Sequence, residues 1–352
     1  MITHLSLSLS AALLVAVPLA AQEVTVPSFT LPPSSQLSPE ARQVLIRMKR
    51  ESAPRDIAGD LGRQRAFYQA WNDRRLAEMR RRFATRVDRR TLGGVRVDIV
   101  TPAEGVAPAQ ANRVLINVHG GAFMWGSGSG ALVEAIPIVA TMKATVVTVD
   151  YRLTPENRYP AASEDVTAVY RELLRTVRPE NIGIYGCSAG GVITAQATAW
   201  IRKQGLPRPG AIGTFCGTGA SYSGDSRYLA GPITGGEVLA APALPATIPN
   251  PYMAGVAAAD PLAYPLGDAG ETRAMPPTLL LAGGRDFAAS ALTLAHRRLA
   301  AAGVESELHL FDGLPHAFFM WPDMPESIEA YRLIASFFDH HLGSRPPEKN
   351  DP

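Results

Sequence analysis

Gly186-Cys187-Ser188-Ala189-Gly190-Gly191 sets one serine among small residues. It follows the apolar stretch Asn181-Ile182-Gly183-Ile184 and precedes the run VITAQATAWIRKQ at 192–204, which suits a helix. Strand, tight turn and helix are the setting in which a G-x-S-x-G serine becomes a nucleophile. The glycines two places to either side leave room where strand and helix crowd together, and the hydroxyl would lie at the positive end of the helix. A plain small-residue crossing is the alternative.

A serine hydroxyl attacks only if a base takes its proton. Of the seven histidines, His4 lies in an apolar leader, His119 precedes a glycine pair, His296 falls inside a predicted helix and His309 inside a strand. His340 and His341 belong to the last predicted helix. That leaves His316, in "DGLPHAFF" just beyond a strand. The base needs a carboxylate to fix its tautomer, and Asp286, at the end of "TLLLAGGRD", is the best placed. Asp225, Glu237, Asp260, Asp268 and Glu271 fall in irregular segments, and Glu305, Glu307 and Asp312 crowd the last strand and its exit. The oxyanion needs donors. "NVHGGAF", residues 117–123, exposes the backbone amides of Gly120, Gly121 and Ala122 after a strand, and Ala189 follows the nucleophile. Phe123 and Trp125 stand beside that loop as pocket walls, with core packing as the alternative.

These residues must be carried to one place by a sheet. Seven apolar runs read as strands: VRVDIV, RVLINV, TVVTVDY, NIGIYG, AIGTF, TLLLAG and SELHLF. Helix-length segments, such as 163–177, 189–204 and 288–302, separate most of them, which predicts an α/β fold with a mainly parallel sheet covered on both faces. A last helix spans 326–342. Two helices are expected at 38–85, the first capped by Ser38 with Pro39 in its opening turn. The Arg-rich side of the second reads as a solvated face. Residues 217–265, rich in Gly, Ala and Pro, are too long for a simple connection and read as a cap insertion. The main domain is then 86–342, with a tail at 343–352.

Residues 1–21 have the length and small-residue ending of a signal peptide, which implies a secreted or periplasmic protein, and no later run is long enough to span a bilayer. The 34 basic and 32 acidic residues balance too closely to point to nucleic acid. A small-molecule partner is expected, and oligomeric state is not legible. The only cysteines, Cys187 and Cys216, read as two buried free thiols, a pair being the alternative.

Four blocks together resemble the hormone-sensitive-lipase-like (bacterial family IV) esterases of the α/β-hydrolase superfamily, over roughly residues 90–342. "HGGAF" is similar to that family's HGGG block, "DYRLTPENRYPAASED" at 150–165 to its YRLAPE-x-x-x-PAA block, "GCSAGG" to its GDSAGG elbow, and "GGRD" with "GLPHAF" to its acid and base loops. The resemblance implies the α/β-hydrolase fold with a helical cap and a serine carboxylesterase acting on short- to medium-chain acyl esters. It implies no metal and no cofactor. A lactone or acetyl-ester hydrolase, or a non-catalytic ligand receptor on the same scaffold, are the alternatives. Tyr151, Arg152, Pro155 and Glu156 match a supporting block. Three departures stand out: Ala122 for a third glycine, Phe287 for the proline after the acid, and Cys187 for the aspartate before the nucleophile.

Overall fold

The computed structural model describes residues 30–221, 224–227 and 250–343. The leader, the middle of the expected cap insertion (222–223 and 228–249) and the tail beyond 343 therefore lie outside the described residues. The helices and sheet all belong to the compact unit that begins at Pro33.

Two helices open it, α1 (Pro39–Arg50) and α2 (Leu61–Arg82). Each has a side-chain cap: Ser38 Oγ accepts from Ala41 N, and an Asp60 carboxylate oxygen accepts from Arg63 N, both at 3.0 Å, satisfying amides that a first helical turn leaves unpaired. Glu326 fastens the start of α1 to the far end of the chain by accepting from Ser38 N and Ser38 Oγ at 2.8 and 2.9 Å.

Eight strands come next: β1 (Thr85–Leu92), β2 (Val95–Pro102), β3 (Val114–Val118), β4 (Thr145–Val149), β5 (Ile182–Cys187), β6 (Ala211–Phe215), β7 (Thr278–Gly283) and β8 (Ser306–Phe311). They form one sheet in the order β1-β2-β4-β3-β5-β6-β7-β8. The pairs β1–β2 and β2–β4 are antiparallel and the other five are parallel. Helices α3 (Ser129–Met142), α4 (Ala161–Leu173), α5 (Ala189–Lys203), α6 (Ala269–Ala274), α7 (Ala289–Ala301) and α8 (Pro325–His341) make the crossovers and the closing segment. Two apolar clusters result, one on each face. One joins α1–α3 and α8 to the sheet and the other joins α4, α5 and α7 to it.

Three of these elements have no counterpart among those expected from sequence: β1, α3 and the short helix α6. The edge strand β1, TRVDRRTL, is mostly exposed and lacks an apolar alternation. Helix α3, SGALVEAIPIVATM, is buried nearly all round and so shows no amphipathic period. The Arg-rich face of α2 also departs from expectation. Arg75 is only 2% exposed, lies 3.8 Å from the Trp321 ring centroid and pairs with Glu51 and Glu78. Arg65 binds Glu156 through both carboxylate oxygens, at 2.6 and 2.8 Å. The guanidinium groups of this face hold α2 to the body instead of facing only water. Among the described residues no helix is long and apolar enough to cross a membrane.

Candidate active site

Ser188 sits in the turn between β5 and α5 with φ 57° and ψ −121°, a strained backbone that persists only where the surroundings fix it. Ser188 N donates to Phe215 O at 2.7 Å. The flanking glycines are required by close approach. A Cβ on Gly186 would lie 2.2 Å from Val118 O, and one on Gly190 would lie 1.8 Å from it.

Asp286 leaves β7 fully buried. Its Oδ1 accepts from Ala288 N at 2.8 Å, and His316 Nδ1 lies 2.9 Å from both of its carboxylate oxygens. That contact fixes which imidazole nitrogen carries the proton and leaves Nε2 as the basic position. Phe287, the departure from proline, stacks on the imidazole at 4.4 Å with 24° between planes. Behind His316, Cys216 Sγ accepts from Ala317 N at 3.3 Å. Cys187 and Cys216 are both free and buried, and burial pushes the Cys187 thiol well above its ordinary range. A thiol held protonated is a poor nucleophile.

Ser188 and His316 line one cavity of about 310 Å³, together with Gly120, Gly121, Ala122 and Trp125. Tyr68, Trp71 and Asn72 from α2, Glu134 from α3, and Met320 complete much of its wall. Tyr68 stacks on Trp125 at 4.3 Å. Asn72 is 7% exposed, and its side chain packs so closely on α3 that a Cβ on Gly130 would lie 2.9 Å from its Nδ2.

Two sequence assignments are corrected by this geometry. Gly120 N donates to Glu134 Oε1 at 2.8 Å, so that amide is already spent on a carboxylate and is no oxyanion donor. Gly121, Ala122 and Ala189 remain, their amides making no hydrogen bond among the described residues. Phe123 is 4% exposed and stacks on Tyr252 at 4.6 Å; its ring belongs to the core and not to the cavity. Burial also pushes the His119 imidazole down to about 4, so it is neutral. Its Nδ1 lies 2.7 Å from Gly120 O.

The pocket residues on α2, and Glu134, are not marked as functional by the sequence. Tyr68 and Trp71 read there only as an amphipathic stripe. For Glu134 the available signal is one acid in an otherwise uncharged helix.

The family model described as alpha/beta hydrolase fold matches residues 115–320. The putative acetyl-hydrolase LipR of Mycobacterium tuberculosis is 35% identical over 133 residues, which are 38% of this chain and 42% of that protein. The carboxylesterase/phospholipase LipF of the same organism is 32% identical over 279 residues, 72% of each chain. A solved hormone-sensitive lipase from a metagenome library superimposes with a TM-score of 0.72 at 26% identity, covering 86% of this chain and 98% of that one.

Proposed function

The chain belongs to the α/β-hydrolase family, among its hormone-sensitive-lipase-like esterases, and from that premise we propose that it is a serine carboxylesterase cleaving short- to medium-chain acyl esters. The observation that carries this reading is the buried Asp286 holding His316 Nδ1 at 2.9 Å, with His316 and Ser188 on the wall of one cavity.

In this reading His316 Nε2 takes the Ser188 proton as Oγ adds to the ester carbonyl. The amides of Gly121, Ala122 and Ala189 receive the developing oxyanion. These are backbone groups, already fixed before reaction, and so cost little reorganisation. Collapse expels the alcohol, which takes its proton from His316. A water molecule, activated by the same nitrogen, then releases the acid from Ser188. The imidazolium that forms twice in this cycle lies against the Asp286 carboxylate. A cavity of about 310 Å³ walled by Tyr68, Trp71, Trp125 and Met320 suits a modest apolar acyl group more than a long chain. Acetyl esters form the second reading, favoured by the acetyl-hydrolase name of LipR.

p-Nitrophenyl acetate, butyrate and octanoate separate these readings. Wild type is expected to turn over acetate and butyrate faster than octanoate, and Ser188→Ala to lose about a thousandfold or more. Acetate alone being cleaved selects the acetyl-ester reading. Equal rates for wild type and Ser188→Ala contradict both.

A further inference from the structure

The loop after β3 runs through three successive residues at positive φ: Gly121 (115°), Ala122 (52°) and Phe123 (63°). Such a backbone must be held from outside, and here every carbonyl from residue 119 to 124 is. His119 O accepts from Tyr151 Oη at 2.8 Å, Gly120 O faces His119 Nδ1 at 2.7 Å, and Gly121 O accepts from Met124 N and Trp125 N at 2.8 and 3.0 Å. Ala122 O accepts from Asn250 Nδ2, Phe123 O from Thr154 N and Met124 O from Arg65 Nε, each at 2.9 Å. With the carbonyls turned away and held, the amides of Gly121 and Ala122 are left open. The amide just before them is the one that is tied. Gly120 N donates to Glu134 Oε1 at 2.8 Å, and Glu134 Oε2 accepts from Asn117 Nδ2 at 3.2 Å.

Glu134 is 5% exposed and is the sole charged residue of α3. A buried carboxylate is costly unless hydrogen-bonded, so an acid kept there needs a purpose that an apolar residue would not serve. We propose that Glu134 is a positioning residue for the oxyanion hole. By fixing the Gly120 amide it removes that donor and sets the next two amides toward the reacting carbonyl. It also supplies from α3 a carboxylate beside the elbow, where this chain carries Cys187 in place of the aspartate of the GDSAGG motif it resembles. The placement supports this. A Cβ on Gly120 would lie 2.9 Å from Cys187 O, 3.3 Å from Glu134 Oε1 and 3.4 Å from Ser188 Cβ, so this residue is wedged between elbow and carboxylate. The inference rests on the esterase reading.

Glu134→Met, close in volume but without an acceptor, and Glu134→Gln, which keeps one, isolate the hydrogen bond. Rates are taken per active site counted by stoichiometric phosphonate labelling. Glu134→Met is expected to lower kcat by about 10- to 100-fold with KM within about threefold of wild type. It should weaken a trifluoromethyl ketone, which adds to serine as an oxyanion, in parallel. Glu134→Gln is expected to stay within about threefold of wild type, because Asn117 Oδ1 has no partner among the described residues and can receive the new amide once Asn117 turns over. Wild-type kcat per site in Glu134→Met, or a Glu134→Gln as impaired as Glu134→Met, overturns the proposal. Should Glu134→Met fail to fold, Glu134→Asp draws the acceptor back by one methylene. Loss of kcat with KM unchanged then supports the role, and wild-type kcat refutes it. A wild type inert to every ester has a different signature and overturns the esterase reading together with this one.

Discussion

Glu134 is a carboxyl group taken out of water, and that burial raises it from its ordinary 4.5 to about 7, against the opposing pull of the Gly120 amide, the Asn117 side chain and the Cys187 backbone. Tyr151, Tyr185 and Cys187 are the titratable groups that feel its charge. Between those two pH values the folded chain holds a proton that the unfolded chain releases. Its contribution to stability is therefore full below about 4.5 and lost as pH rises through about 7. Wild type should lose on the order of 3 kcal/mol relative to Glu134→Gln between pH 4.5 and 8, read by denaturant unfolding at each pH. A difference that does not vary with pH would contradict the buried ionisation. Ser188, Asp286 and His316 are legible in the sequence because each closes a strand with a small-residue turn, and chemistry leaves one histidine once the others are placed in elements. Glu134 is not, since its partner is a backbone amide fourteen residues away and no motif records such a contact. Phe123 misleads for a related reason: adjacency in sequence to the oxyanion loop does not say which side chain faces the cavity, and the Phe123 ring stacks on Tyr252 instead.

At the scale of elements, α2 brings the wall of the cavity and is itself held by charge. Arg75 lies over the Trp321 ring at 3.8 Å while Arg47 lies 4.7 Å from the same ring, and Arg75 Nη2 reaches Glu78 and Glu51 at 3.0 and 3.2 Å. Removing a buried member of such a network leaves its partners uncompensated. Arg75→Ala should cost on the order of 3 kcal/mol, and Arg75→Lys less, because an ammonium keeps the charge but not the flat contact with the indole. Urea unfolding of the two variants checks this, and an Arg75→Ala as stable as wild type would contradict it. The helix itself is readable from its period and caps. Its arginines read as solvated because a sequence does not say which of several equal charges meets a tryptophan 246 positions later. Strand β1 and helix α3 are illegible for opposite reasons. One is too polar to show a face, and the other too buried to show a contrast.

For the molecule as a whole, the parallel strands do the gathering. β3, β5, β7 and β8 all point the same way, so the loops that leave their carboxyl ends bring residues 119–126, 188, 286 and 316 to one edge of the sheet, the place where open α/β sheets hold their ligands. Alternating strands and helices make that much predictable. The depth of the pocket is not, because α2 precedes the sheet in sequence and closes over it only in the folded chain.

The most direct test of the nucleophile is the site of covalent capture. A fluorophosphonate, or a p-nitrophenyl ester quenched in acid during turnover, should leave one adduct per chain, mapped by peptide mass spectrometry to Ser188, in proportion to the activity lost. An adduct on another residue, or undiminished ester turnover with Ser188 fully modified, would contradict it.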